Sequence, residues 1–124
     1  FIKPYAKILN KAQFEKLTVG DSIFVIAEYH AGSGNTVINA DEGGVRIWLR
    51  HFKNKWIPIN DVVLVDEMAL KTESGTVTKT FSLKDYTPSA ELPGGQFYQL
   101  RITFTSSDGN MYEDGLYPLN IVEK

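Results

Sequence analysis

The sequence predicts an all-β domain, an antiparallel sandwich of about seven or eight short strands. Apolar and polar residues alternate over most of the chain, and turns rich in Gly, Asn, Asp and Pro separate the alternating stretches. No segment keeps a helical period over the length of a long helix, and no internal repeat is present. With 124 residues the chain can close one hydrophobic core without disulfides, so we expect a single domain over residues 1–124.

Two strands are predicted near the N-terminus. Pro4 has no N–H to donate to a sheet, which suits the start of an edge strand that runs to Leu9. The segment Asn10–Leu17 fits either a helical turn or a continuation of that strand after a kink. From Ile23 to Ala31 one set of alternate residues is wholly apolar and the other becomes polar towards the end, which predicts a half-buried strand.

The middle of the chain contains a long loop and several β-rich segments. Small and polar residues fill most of 32–44, which predicts a loop with room for a small hairpin. Alternation from Val45 to Phe52 predicts a strand, and Pro58 limits Trp56–Ile59 to an edge position. The β-branched residues of 61–65 and 76–83 predict two further extended segments.

The clearest strand follows the turn Leu92–Gly95. Tyr98, Leu100, Ile102 and Phe104 share one face, and polar residues occupy the positions between them. The Asp108–Gly109 pair then supplies the conformations that a tight hairpin requires. The last strand contains Leu116 to Val122, with Pro118 at a bulge or an edge.

Leu92, Pro93, Gly94 and Gly95, followed by Tyr98, resemble the tyrosine corner of immunoglobulin-like and fibronectin type III domains. The resemblance implies an immunoglobulin-like sandwich in which Tyr98 is buried and its hydroxyl bonds to the backbone near Leu92–Gly94. The Cys pair of true immunoglobulin domains is absent. Leu17–Asp21 is similar to the entry to strand B in bacterial surface domains of this fold, and the whole resembles small secreted or lipid-anchored proteins of gut Bacteroidetes. That implies an extracytoplasmic location, secreted or at the outer bacterial surface.

Composition excludes several classes of function. The net charge is -2 and basic residues are spread evenly, so nucleic acid is not an expected partner. Without cysteine the chain has no disulfide, thiol catalysis or thiolate metal site. No apolar run approaches the length that crosses a bilayer. The first residue is Phe1 and not Met, so we expect an upstream segment, for which a removed signal peptide is one candidate.

Catalytic and metal sites are only weakly indicated. His30 and His51 each end a predicted strand, and in the simplest interpretation both lie at the surface. No nucleophile motif accompanies them, so we expect no enzyme and no cofactor, with a His-dependent or metal-dependent hydrolase as an alternative. Asp41 and Glu42 precede one strand while Asp108 and Asn110 lie in the last hairpin, and these loops share one end of the resembled fold. Calcium could bind there, although Asp-Gly-Asn is also an ordinary hairpin turn.

Aromatic and basic residues indicate a binding face. Trp48 is predicted on an outer face between Arg46 and Arg50, and the neighbouring strand contributes Phe97 and Arg101. Such a patch suits a protein or a glycan at the cell surface, with Trp56 as a further aromatic candidate. Alternatively, other side chains cover Trp48 or arginine stems stack on it.

We therefore expect a non-catalytic, extracytoplasmic domain for binding, adhesion or assembly. The alternative is a carbohydrate-binding accessory module with Trp48, Trp56 or Tyr112 as sugar platforms. A purely structural spacer without a binding surface is also open.

Overall fold

Nine strands and two short 3-10 turns make up the ordered elements of the computed structural model, which describes residues 1–38, 44–50, 56–60, 73–92 and 97–123. The 3-10 turns span Lys11–Glu15 and Ser89–Glu91. The strands are β1 (Tyr5–Ile8), β2 (Leu17–Thr18), β3 (Ser22–His30), β4 (Arg46–Arg50), β5 (Trp56–Asn60), β6 (Ser74–Ser82), β7 (Tyr98–Thr105), β8 (Met111–Leu119) and β9 (Ile121–Val122).

Two antiparallel sheets contain seven of these strands. One has three strands in the order β1-β3-β6, and the other has four in the order β5-β4-β7-β8. The short strands β2 and β9 pair in parallel as a third, two-stranded sheet. The prediction of an all-β fold with antiparallel sheets is therefore confirmed.

The apolar alternation of the sequence corresponds to the buried faces of the sheets. On β3 the residues Ile23, Val25 and Ala27 are fully buried, and on β7 Leu100 and Ile102 are fully buried as well. These side chains belong to one hydrophobic cluster that both larger sheets share. Since successive residues of a strand point to opposite sides, the residues between them form the outer faces.

The segment 10–17 combines the two predicted conformations. It forms the 3-10 turn Lys11–Glu15, and extended pairing resumes only at Leu17. Phe14 is almost completely buried and its carbonyl oxygen accepts a hydrogen bond from the N–H of Asn120 at 2.9 Å. Burial of this ring keeps the turn against the end of β8. Before the turn β1 pairs with β3, and after it β2 pairs with β9.

Strand β8 is longer than the sequence pattern indicates, since it begins at Met111. Its pairing with β7 shifts by one residue, because Leu100 is opposite Tyr117 whereas Arg101 is opposite Gly115. Leu116, the residue skipped on β8, has a positive φ of 66°. An extra residue of this kind is a β-bulge, and it hides the alternation from a reading of the sequence. Trp56–Asn60 pairs with β4 at the end of the four-stranded order, in agreement with its predicted edge position. The predicted segment 61–65 lies outside the described residues.

Candidate functional site

The outer face of the four-stranded sheet places Trp48 against two guanidinium groups. The Cζ atoms of Arg46 and Arg101 each lie 5.5 Å from the centroid of the indole ring. Arg46 is two residues away on the same strand, whereas Arg101 is the direct partner of Trp48 across β4 and β7. The indole Nε1–H donates a hydrogen bond of 2.7 Å to Oγ1 of Thr103. Contacts on the ring and at its edge therefore fix one orientation of Trp48.

Arg101 is held by an ion pair as well as by the indole ring. Its Nη1 donates to Oε2 of Glu113 at 2.9 Å, and the Arg101 side chain is 20% exposed while that of Glu113 is 53% exposed. Glycine at position 115 lies opposite Arg101 in the β7–β8 register, so no side chain competes with the guanidinium stem there. We name the set Arg46, Trp48, Arg101, Thr103 and Glu113 the arginine–tryptophan stack.

Several of the predicted binding residues therefore come together. Arg46 and Arg101 each contact the ring of Trp48, while Phe97 lies just before β7 with 40% of its surface exposed. The ring of Trp48 is half-buried, and the two guanidinium groups lie against it much as the stacking alternative expects. The backbones of Arg50 and Trp56 pair with each other in β4 and β5, but their side chains lie outside the described part of the chain.

His30 is not a surface residue, which corrects the simplest interpretation of the sequence. Only 9% of it is exposed, its ring stacks on Tyr5 at 6.0 Å, and its Nδ1 accepts a hydrogen bond of 2.9 Å from the N–H of Gly32. Its Nε2 lies 3.9 Å from Oε1 of Glu73. Neighbours from β1 and from the following loop cover the end of β3 and bury the imidazole. His51 lies outside the described residues.

The last hairpin uses its acidic residue to close the turn. Oδ1 of Asp108 accepts the N–H of Asn110 at 2.9 Å, and Oδ2 accepts the hydroxyl of Tyr112 at 2.6 Å. The Tyr112 hydroxyl, followed by the backbone N–H of Asn110, lowers the pKa of Asp108 below its ordinary value. Asp41 and Glu42 lie outside the described residues. Within the described ranges, no group of three or more His, Asp or Glu side chains is placed to hold a metal ion, and calcium stays a prediction.

Tyr98 is buried, as the resemblance to the tyrosine corner implies. It is 5% exposed, its ring lies 5.0 Å from that of Tyr86, and its hydroxyl oxygen accepts the N–H of Thr87 at 3.2 Å. Thr87 lies upstream of the predicted partners. Leu92 is also buried, while Gly94 lies outside the described residues, so the contact predicted for Leu92–Gly94 stays a prediction.

A groove that the sequence pattern does not indicate lies between β1 and β8. It has a volume of about 430 Å³ and is lined by Tyr5, Ala6, Lys7, Lys11, Glu28, Asp114 and Tyr117. These residues come from four separate parts of the chain. Asp114 and Glu113 are neighbours in sequence but serve opposite sides of β8, since Glu113 binds Arg101 on the outer face and Asp114 binds the N–H of Ile8.

Comparison with known proteins finds a similarity of fold. No family model matches the chain, and no curated protein matches it. The structure is similar to the crystal structure of a DUF4466 family protein from Parabacteroides merdae, with a TM-score of 0.52 and 10% sequence identity. The two share a fold.

The similarity covers 95% of this chain and 44% of that chain, so this domain spans less than half of its structural neighbour. The name of the neighbour states no activity, ligand or partner. In the ranges that the structure describes, no helix has the length and apolar character needed to cross a membrane.

Proposed function

We propose that the chain is a non-catalytic immunoglobulin-like domain that binds a protein partner outside the cytoplasm, at a bacterial cell surface. The strand orders β1-β3-β6 and β5-β4-β7-β8 support the fold assignment. They match the A-B-E and C′-C-F-G orders of variable-type immunoglobulin sheets. The structural neighbour from Parabacteroides merdae supports a bacterial setting. Location and partner are parts of the proposal.

The arginine–tryptophan stack carries the proposal. Arginine and tryptophan are the side chains that most often dominate protein interfaces. Here two guanidinium groups, one indole ring and the carboxylate of Glu113 are already ordered against one another. A partner that docks on this face loses little of the conformational entropy that ordering long side chains usually costs. Phe97, which is 40% exposed and directly precedes β7, adds an apolar ring near the start of that strand.

A photo-crosslinking comparison on intact bacteria tests this proposal. One derivative of the protein carries a photoreactive amino acid at position 97, and the control carries it at position 78 on the three-stranded sheet. We expect a discrete adduct of defined mass from position 97 only, and its loss when Arg46→Ala is added. Equal adducts from both positions, or none from 97 in a correctly folded protein, would contradict it. Protease treatment of the same cells tests location, because a surface domain is cleaved without lysis.

The other sequence-based candidates find less support. Two guanidinium groups cover Trp48, and Tyr112 stacks on Phe104 at 5.6 Å while its hydroxyl binds Asp108, so neither ring offers a free sugar platform. The contacts of His30 are those of a buried structural residue. His30 therefore gives the hydrolase alternative no support.

A further inference from the structure

The groove between β1 and β8 has the chemistry of a ligand site. Strands β1 and β8 each stand at the end of their sheet order, so the groove follows the side of the sandwich where the two sheets meet. Its volume of about 430 Å³ falls in the range of pockets that hold small molecules. Its lining combines Ala6 with charged and phenolic side chains.

Each tyrosine of the groove is oriented by a carboxylate. The hydroxyl of Tyr5 donates to Oε1 of Glu28, and the hydroxyl of Tyr117 donates to Oδ1 of Asp114. Oδ2 of Asp114 accepts the N–H of Ile8 at 2.8 Å, which ties β8 to β1. Desolvation by burial and the bond to Asp114 raise the pKa of Tyr117 to about 12.

The charges of the groove balance. Its lining contains two lysines, Lys7 and Lys11, and two carboxylates, those of Glu28 and Asp114. The ammonium of Lys11 lies 4.9 Å from the centroid of the Tyr117 ring. A wall with two cations and two anions attracts neither a polyanion nor a polycation through net charge. It does present donors and acceptors close together, which suits hydroxyl groups because each hydroxyl both donates and accepts.

We propose that this groove binds a neutral saccharide. The lysines Lys7 and Lys11 and the carboxylates of Glu28 and Asp114 hydrogen-bond the sugar hydroxyls. The site lies on the far side of β8 from the arginine–tryptophan stack, so it is separate from the proposed protein interface.

Titration of the ¹⁵N-labelled protein with neutral glycans tests the proposal by amide chemical shifts. The panel contains oligosaccharides of glucose, galactose, mannose and N-acetylglucosamine, with sialylated and sulfated glycans and inorganic phosphate as charged comparisons. We expect at least one neutral glycan to shift the amides of Tyr5–Ile8 and Asp114–Tyr117. Binding of charged probes alone, the absence of neutral binding, or shifts confined to other strands would overturn the proposal.

Variants locate the site independently of the shifts. Glu28→Gln keeps the size of the side chain but removes its charge, and we expect affinity to fall by about tenfold because a charge-assisted hydrogen bond is lost. Lys7→Ala removes an exposed groove residue and guards against a folding defect in the first variant. Glu91→Gln, an exposed acid on the Ser89–Glu91 turn, is the matched control and retains full affinity. If both Glu28→Gln and Lys7→Ala bound the glycan as tightly as the parent protein, the groove would not be the saccharide site. That conclusion would hold whatever the crosslinking at position 97 shows.

Discussion

Gly115 permits the close approach of β8 to β7 beneath the arginine–tryptophan stack. A Cβ atom at this position would lie 2.1 Å from Cβ of Arg101 and 2.8 Å from its Cα. Ordinary contact begins at 3.4 Å, so Gly115→Ala lacks about 1.3 Å of space against atoms that cannot rotate away. The substitution must push the two strands apart where Arg101 is held between Trp48 and Glu113.

We expect Gly115→Ala to reduce the free energy of unfolding by about 3 kcal/mol, the upper end of the cost of overpacking a closely packed site. For a domain of this size that corresponds to a fall in melting temperature of roughly 12 °C. Urea denaturation followed by Trp fluorescence measures the loss. Displacement of Arg101 also changes the surroundings of Trp48, so we expect the native-state emission to change as well.

Gly34→Ala is the matched control, because its cost has a different origin. Gly34 has a φ of +82°, and a Cβ atom added there would have no neighbouring atom within 4 Å, so alanine meets backbone strain without a clash. Such a change costs about 1 kcal/mol. If Gly115→Ala lost no more stability than Gly34→Ala, the close packing of β7 and β8 at Arg101 would be wrong.

Three further predictions concern buried or titratable groups. Ser89→Ala should cost about 2 kcal/mol in urea unfolding, because its buried hydroxyl accepts the N–H of Ile121 and donates to the carbonyl of Leu119, and an unchanged midpoint would contradict this. Tyr86 and Tyr117 both have a pKa raised to about 12, mainly by burial, so their stabilisation is complete below pH 10 and is lost as pH rises towards 12. Absorbance titration should show phenols that ionise later than an ordinary tyrosine, Tyr86 and Tyr117 among them, and Tyr86→Phe should remove one of them. For Asp108, carboxyl NMR should give a midpoint below the ordinary 3.8 that rises in Tyr112→Phe.

The sequence predicts the architecture well because local alternation encodes it. The buried faces of β3 and β7 follow directly from the spacing of their apolar residues. The placement of Arg46 beside Trp48 follows from the same spacing, and Arg101 joins them once β4 and β7 are neighbours.

What the sequence does not predict depends on contacts between distant segments. The Asp114–Ile8 bond joins residues 106 positions apart, and no local pattern marks Asp114 as a groove residue while Glu113 faces the other side. The burial of His30 depends on Tyr5 and Gly32, and a histidine at a strand end looks the same whether or not such neighbours cover it. The bulge at Leu116 interrupts the alternation of β8 and conceals its true length.

In the function we propose, the arginine–tryptophan stack is the surface at which a protein partner docks. The most direct measurement is the affinity of the purified domain for the protein crosslinked through position 97, compared between Arg46→Ala and Thr78→Ala. We expect Arg46→Ala to weaken binding by about tenfold or more, as loss of an interface arginine does, and Thr78→Ala to leave it unchanged. Equal affinity of Arg46→Ala and the parent, with both proteins folded, would contradict the claim.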